Sequence, residues 1–563
     1  MPENIITQSP GRSYSRWLLL AALPVLLHLV VLAPAEPVYN GDANRHVMTS
    51  VFFHDFLLDL PLSNPKQYAE DYYEQYPALG LMIWPPLFHG VVGLLMTVFG
   101  TSVLVARFYV FACFVLAAFS LLKLCRRRMP IEQAEFVVAV FAVLPMIFEY
   151  SRYVMLEMQT LAFCLVCIER FDIWLKERRT RNLYIAAVFA ALASLTRFDA
   201  AVLLPTLLLM AVFEKNWRQL FSWHVVGAAL VAIIVLGPTY AVIWREMGQL
   251  HLRQATESVS GRGDEAASWA SWNYYPIAVP DQAGWVATAM LCVGLLAAFQ
   301  RKHRATAAVF FAMFIATYVT FTPLAELQPR HAIYWLPAIA YFSVVGAMQF
   351  AELPGGLWPQ RSESVKRIVF SILVCGTAAS TWFLDSYRVT GYARACDVAL
   401  QHTNAGESIF IDGWWDGNLT YHIRHLDKSR SRHVVRADRV LFDFTNVPTV
   451  DFQSLVDSDA EILQAILDSK ATCVVFEDPQ PFGDIAISHR MHELLKSLPN
   501  QFPLIETVPV SLRFPNARPF DLKVFSVNAS ELHTYLNQQN SGPEAASVAI
   551  DGAVFGRSVT SQK

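Results

Sequence analysis

The feature that most constrains this chain is a series of predominantly apolar runs, most of them close to the length that crosses the ~30 Å hydrocarbon core of a bilayer. They lie at Trp17–Pro34, Leu104–Leu124, Ala134–Glu149, Met158–Leu175, Leu183–Thr196, Ala200–Phe213, Ser222–Ile243, Gly284–Phe299, Thr306–Phe321, Ala332–Phe350 and Arg367–Leu384. In lipid every backbone group must find its partner within the segment, and a helix achieves this locally. The expected fold is therefore an α-helical polytopic membrane protein with about eleven transmembrane helices. Composition agrees, since 54% of the 563 residues are hydrophobic and 16% are charged, against roughly a quarter charged in soluble chains. Trp17–Pro34 has the length of a signal peptide, but no small-residue cleavage site follows, so it reads as the first span. The runs around Leu183–Phe213 imply two short helices meeting at Arg197-Phe198-Asp199.

Basic residues orient these spans. Arg12 and Arg16, Arg126-Arg127-Arg128, Lys176 to Arg181, Lys215 and Arg218, Arg301 to Arg304, and Arg361 to Arg367 fall on alternate connections. The positive-inside rule makes those connections cytoplasmic. The expected setting is a cell (inner) membrane, with the N-terminus inside and the chain after Leu384 outside. Leu87–Gly100 is apolar but short and opens on Pro85-Pro86. Were it to cross, every later basic cluster would face outward. It reads as an interfacial or re-entrant helix on the outer side, with a twelfth short span as the alternative.

Three pieces face outward in this scheme. Residues 1–384 form the membrane domain, whose first outer loop, 35–103, is rich in Asp, Tyr, Trp and Pro. A second outer piece, Arg245–Ala283, holds Gly261-Arg262-Gly263 and the aromatic residues Trp269, Trp272, Tyr274 and Tyr275. The third, 385–530, reads as a small extracytoplasmic α/β domain. In it Ser408–Asp412 and Ala471–Phe476 are expected as buried strands and Phe520–Val527 as an alternating one. Helices are expected from the Ser458-Asp459 cap through Leu467 and over Ile485–Leu498. The domain is expected to end near Val527, and 531–563 reads as a polar, disordered tail. Eight cysteines in this length are no disulfide framework. Only Cys396 and Cys473 fall in the soluble part, and their spacing requires no bridge.

Charged groups at a membrane are costly and point to function. Four clusters fall near the outer face. In Asn40-Gly41-Asp42-Ala43-Asn44-Arg45-His46, Gly41 permits a turn presenting Asp42 to a cavity between helices, where a carboxylate can act as general base. The structural alternative is a loop aspartate beside a helix capped through Asn44. Between the third and fourth spans lie Arg152 and Glu157. An arginine there suits a phosphate, and Glu157 either supports a second polar group or pairs with Arg152. Tyr73-Glu74-Gln75-Tyr76-Pro77 precedes Trp84-Pro85-Pro86-Leu87-Phe88-His89, a rigid bend whose aromatic rings suit sugar stacking or the interfacial belt. In Glu326-Leu327-Gln328-Pro329-Arg330-His331, the Arg-His pair either holds a phosphate leaving group or snorkels to headgroups. There is no Walker-type loop and no His-Glu-x-x-His, and Cys164 and Cys167 lie in an apolar run, where a thiol behaves as a small hydrophobe. Energy for a transfer would thus come from an activated lipid or an ion gradient. Asn418-Leu419-Thr420 and Asn528-Ala529-Ser530 are formal glycosylation acceptors.

The ordered set of motifs from Tyr14 to Phe350 resembles the polytopic, C-type membrane glycosyltransferases that use polyprenyl-phosphate sugars, among them protein O-mannosyltransferases and aminoarabinose transferases. The matching pieces are Gly41-Asp42, Pro85-Pro86-Leu87, Arg107, Tyr150-Ser151-Arg152 through Leu156-Glu157, Leu195-Thr196-Arg197-Phe198 with Leu203-Leu204-Pro205, and Pro329-Arg330-His331 with Leu336-Pro337. The resemblance implies Asp42 as the catalytic carboxylate and Glu157 as the second acidic residue. It places Arg152 and Arg330 at the lipid phosphate. Two departures stand out: Trp84 occupies the place where many relatives have Lys before Pro-Pro-Leu, and His331 the place of a Tyr. A different cation must then serve, with Arg45, His89 and Arg152 as candidates.

The implied function is inverting transfer of a sugar from a polyprenyl-phosphate donor to a protein, lipid or polysaccharide acceptor on the outer side of the membrane. Membrane lipid is an expected partner and nucleic acid is not. No cofactor is indicated beyond the lipid-linked donor, and a divalent metal is compatible but not implied. The alternatives are a secondary transporter, which usually shows inverted repeats and midplane charges, and a non-catalytic membrane assembly factor.

Overall fold

The apolar runs become helices, and prolines and charges decide where each one breaks. A computed structural model describes residues 41–260, 268–300, 304–324, 327–357, 362–383, 388–445, 451–483, 485–513 and 517–540. The expected span Trp17–Pro34, Gly261-Arg262-Gly263 and Glu326 lie outside the described residues. The chain divides into two compact units, one from residues 1–65 with 78–389, the other from 66–77 with everything after Val389.

The first unit is helical. It contains α1 (Gly41–Asp59) and, after α2 (Pro65–Gln75) has left it for the second unit, α3 (Leu87–Phe99) and α4 (Val103–Arg126). The expected span Ala134–Glu149 is two helices, α5 (Ile131–Val143) and α6 (Pro145–Tyr150). Pro145 has no N–H to donate, and it holds Leu144 extended at φ −59° and ψ 132°. Next come α7 (Glu157–Glu177), α8 (Thr180–Ser194), a 3₁₀ turn at Phe198–Val202 and α9 (Leu203–Phe213). The run expected to end at Ile243 continues as α10 (Trp223–Ser260), 38 residues long despite Pro238. The unit then runs through α11 (Trp269–Ala283), α12 (Trp285–Ala298), α13 (Arg304–Phe321), a 3₁₀ turn at Pro329–Trp335, α14 (Leu336–Leu357) and α15 (Ser362–Trp382).

Among the described residues, four stretches are long and apolar enough to cross a membrane: Val103–Arg126, Trp223–Arg253, Pro329–Glu352 and Ser364–Trp382. The other expected spans among the described residues are shorter or carry more charge. At 13 residues α3 is only about 20 Å long, too short to span upright. Close backbone approach joins α12 to α14. A Cβ on Gly294 would meet the Phe342 carbonyl oxygen at 1.8 Å, and one on Gly346 would meet the Met290 carbonyl oxygen at 1.9 Å. Such small-residue contacts let helices pack tightly where lipid supplies no hydrophobic drive.

The second unit is built on a five-stranded sheet. Its strands lie among β1 (Arg388–Thr390), β2 (Ser408–Asp412), β3 (His433–Arg436), β4 (Phe442–Thr445), β5 (Asp451–Ser454), β6 (Ala471–Asp478), β7 (Leu504–Pro509), β8 (Ser511–Arg513) and β9 (Asp521–Ser526), in the order β3-β2-β6-β9-β7. Strand β2 runs parallel to β3 and β6, while β9 is antiparallel to β6 and β7. Every residue of β2 is buried, as a central parallel strand covered on both faces requires. The helices are α16 (Tyr392–Gln401), α17 (Asp416–Leu426), α18 (Ala437–Val440), α19 (Asp459–Asp468), α20 (Ala486–Ser497) and α21 (Ala529–Asn540). Ser458 caps α19 by accepting from the Glu461 amide at 3.2 Å.

Two expectations are corrected. The unit does not end near Val527, and the start of the expected disordered tail is the helix α21. Asn528 Oδ1 accepts from Ser530 Oγ at 2.8 Å and the Glu531 amide at 3.4 Å. Leu532 and Leu536, one turn apart, join the core with Phe476, Phe525 and Met491. Four residues apart in a polar stretch, they make too sparse a stripe to read locally. Asn418, in one of the two formal glycosylation motifs, is only 1% exposed. Cys396 and Cys473 are both buried thiols that form no disulfide with each other.

Candidate functional site

Asp42 sits in the first turn of α1, with Arg45 and His46 one turn further along the same face. Its Oδ2 accepts from Arg330 Nη1 at 2.7 Å. Arg330 comes from the 3₁₀ turn Pro329–Trp335, so two segments 288 residues apart meet here. Arg330 Nε lies 3.9 Å from Oε1 of Glu157, in the first turn of α7. The same Glu157 oxygen accepts from Arg197 Nη1, and Arg197 Nε reaches Asp199 Oδ1 and Oδ2 at 2.9 and 3.0 Å. Acid and base thus alternate in one chain: Asp42, Arg330, Glu157, Arg197, Asp199.

Exposure separates the two carboxylates expected to act. The Asp42 side chain is 32% exposed and that of Glu157 is 1% exposed. Asp42 is partly exposed, while Glu157 is enclosed between two guanidiniums. Glu157 Oε2 and the Tyr334 hydroxyl are buried without a hydrogen-bond partner among the described residues.

The remaining expected residues divide. Arg45 stands one turn after Asp42, its Nε buried and without a hydrogen-bond partner among the described residues. His89 is buried and lies 3.0 Å from His46, Nε2 to Nδ1. It is thereby committed to a histidine pair. Burial, then the neighbouring His89 and the guanidiniums of Arg197, Arg330 and Arg45, hold His46 well below the usual imidazole range. His331 stacks on Phe321 at 5.7 Å between ring centroids. Arg152 lies over the Phe148 ring at 4.2 Å, and its Nε donates to the Phe148 carbonyl at 3.3 Å. Glu157 finds its ion-pair partners in Arg197 and Arg330, not in the sequence-adjacent Arg152. The reason is that α7 begins after a bend at Ser151–Leu156, which separates the two side chains.

Arg197 and Asp199 were not singled out as site residues. The available signal was their position: a charged pair between two apolar runs, where charge is expensive. Trp84, at the position of the missing lysine, packs against His46 with ring centroids 4.4 Å apart. It also covers Gly80, where a Cβ would meet the Trp84 ring at 2.2 Å. Among the described residues no group of three or more His, Cys, Asp or Glu gathers as a metal site.

Residues 84–244 match the family described as Dolichyl-phosphate-mannose-protein mannosyltransferase. That segment contains Glu157 and Arg197. No curated protein sequence matches the chain. Among solved structures, ArnT from Cupriavidus metallidurans in the apo state is similar at a TM-score of 0.59 and 13% identity, covering 92% of this chain and 99% of ArnT. The same protein bound to undecaprenyl phosphate gives 0.57 and 13%, covering 90% and 97%. The oligosaccharyltransferase AglB from Archaeoglobus fulgidus, in complex with an inhibitory peptide and a dolichol-phosphate, gives 0.52 and 13%, covering 83% and 70%. At these identities the likeness is one of fold, and it spans nearly the whole of ArnT. The resemblance drawn from the sequence motifs is borne out.

Proposed function

We propose that this chain is a membrane glycosyltransferase that moves a sugar from a polyprenyl-phosphate donor to an acceptor. The observation that carries the reading is the partly exposed Asp42 carboxylate held at 2.7 Å by Arg330 and backed by the buried Glu157–Arg197–Asp199 chain. The segment match over 84–244 and the shared fold with proteins whose structures hold undecaprenyl phosphate and dolichol-phosphate support the donor class. A transporter has no comparable support.

In this reading Asp42 accepts the proton of the acceptor as the new glycosidic bond forms, and the lipid phosphate leaves with the bonding pair. General-base assistance of this kind contributes ~10²–10⁴-fold. Arg330, with Arg45 beside it, neutralises the phosphate as charge develops. A guanidinium suits that task because its fork of donors matches phosphate oxygens. Glu157 and Arg197 hold Arg330 in place and do not touch the acceptor. In the same reading Arg152 is a further cation for the donor phosphate, and His89 and His331 are further donor-binding candidates. The eleven crossings, a cytoplasmic N-terminus and an outward-facing C-terminal unit in the cell membrane belong to the same reading.

The test is transfer by the purified protein, wild type beside Asp42→Asn, offered a panel of radiolabelled polyprenyl-phosphate sugars with a membrane extract as acceptor source. Transfer that requires Asp42 is the expected outcome. Folded wild-type protein that neither binds nor consumes any donor in the panel would overturn the assignment.

A further inference from the structure

A segment of the first loop belongs to the C-terminal unit: Lys66–Pro77 clusters with the chain from Thr390 onward. Its helix α2 is not merely laid on that unit. Tyr76 is fully buried and Tyr72 nearly so. Gln75 Nε2 donates to the carbonyls of Arg430 at 2.8 Å and Arg432 at 3.0 Å. Arg436 donates to the Pro77 carbonyl, and Arg439 donates to the Tyr73 hydroxyl. Arg436 is itself braced by Asp416 and Asp438. The last residues of the inserted segment are therefore clamped by β3, α18 and the turn before them.

The chain that leaves this clamp at Pro77 reaches the candidate site almost at once. The Gly80 amide donates to Thr49 Oγ1 of α1 at 2.9 Å. Met82 has φ +63°, which a side chain rarely adopts, and its carbonyl meets His251 Nε2 at 2.9 Å. Trp84 lies against His46. The Leu87 amide donates to the carbonyl of Leu195 at 3.1 Å. A backbone held in a sparsely populated region persists only where its surroundings over-determine it. Here the contacts fall on α1, which carries Asp42, on His251 of α10, and on the residue two before Arg197.

We propose that the C-terminal unit is a positioning device for the site: by gripping α2 and Pro77 it sets the course of residues 78–87, and through them the placement of Trp84, His46 and α3. Gln75, Tyr73, Arg436 and Arg439 are its positioning residues. A grip at one end of a short irregular segment removes conformations that the segment would otherwise visit. Loss of the grip raises local opening without unfolding the helices on either side. The arm of the test that reads activity rests on the glycosyltransferase reading, and the arm that reads dynamics does not.

The experiment is amide hydrogen exchange on the full-length protein, wild type beside Gln75→Glu, which keeps the shape and removes the donor. The amides of Gly80 and Leu87 are the reporters. Exchange at these two faster by about tenfold, with α4 and β6 unchanged, is the expected result. Sugar transfer by the same protein is expected to show kcat down several-fold with KM for the acceptor little changed. Should Gln75→Glu fail to fold, Tyr73→Phe, which loses only the bond to Arg439, is measured in the same way. Unchanged exchange at Gly80 and Leu87 in a folded variant whose α2 exchanges faster would overturn the proposal and leave α2 as packing for its own unit. Wild-type protein that transfers no sugar would instead bear against the glycosyltransferase reading, and the exchange result would still decide the positioning claim.

Discussion

Helix α7 carries a buried acid near each end, and the two ends behave differently. Glu157 stands in the first turn and Asp172 in the penultimate one, about 22 Å apart along the axis. Around Asp172 gather Arg128, Arg127 at 3.4 Å and Lys176 at 3.6 Å. Arg127 also reaches Glu177 at 2.7 Å, and Arg128 lies 2.8 Å from Glu214. Asp172 and Arg128 are 0% and 1% exposed. This end is closed and ties together α4, α7 and the end of α9. At the other end the alternating chain finishes on Asp42 and Arg330, 32% and 19% exposed. Charge that is enclosed anchors helices, whereas charge left partly open can exchange one partner for another. Residue type alone does not separate the two roles.

The largest expected effect would break the comparison at the open end. Asp42→Asn should lower transfer by ~10²–10⁴-fold while changing stability by no more than about 1 kcal/mol, the scale of a partly exposed pair. Rates per folded molecule and thermal denaturation in detergent read the two quantities. A loss below tenfold would place the general base elsewhere. At the closed end, Asp172→Ala should show the reverse. It removes the buried acid that three cations share, leaving Arg127 to Glu177 and Arg128 to Glu214, and should cost about 3–5 kcal/mol of stability, with the rate per folded molecule unchanged. A mutant that is stable but inactive would end the division of labour between the two ends.

A third buried carboxylate sharpens the contrast, because neutral donors hold it. Glu477 accepts from the Tyr392 hydroxyl at 2.6 Å and from the amides of Trp414 and Trp415 at 2.9 and 3.1 Å. Burial pushes its carboxyl from the ordinary 4.5 up to about 7, against the pull of those hydrogen bonds. The folded protein therefore keeps a proton that the unfolded chain has released between those values. Stability of the C-terminal unit should fall as pH rises through that window, by about 3 kcal/mol in all, and level off above it. Chemical denaturation of the full chain from pH 4 to 8, followed by Trp fluorescence, tests this, and Glu477→Gln should flatten the profile. The smallest effect is expected from Arg197→Lys, which keeps the charge but loses the fork that spans Glu157 and Asp199. We expect about 1–2 kcal/mol of stability lost and a several-fold drop in kcat, measured with saturating donor.

What the residues alone determined is the class of fold and the charged positions that make up the candidate site. Runs of apolar residues near bilayer length have few alternatives to helices, because lipid offers no partner for an unpaired backbone group. Asp42, Glu157 and Arg330 were visible because charge beside such runs is expensive and needs a reason. The strands Ser408–Asp412 and Ala471–Phe476 were legible for a similar reason, as short apolar runs between turn residues, the second running on to Asp478. The tertiary structure alone decided the partners. Glu157 pairs with Arg197, forty residues away, and not with its near neighbour Arg152, because helix packing brings α7 and the end of α8 together. Likewise, nothing within Lys66–Pro77 announces that it folds with a domain beginning more than three hundred residues later. Local spacing encodes which face of a helix a side chain occupies. Which other helix or strand covers that face is settled only when all of them pack at once.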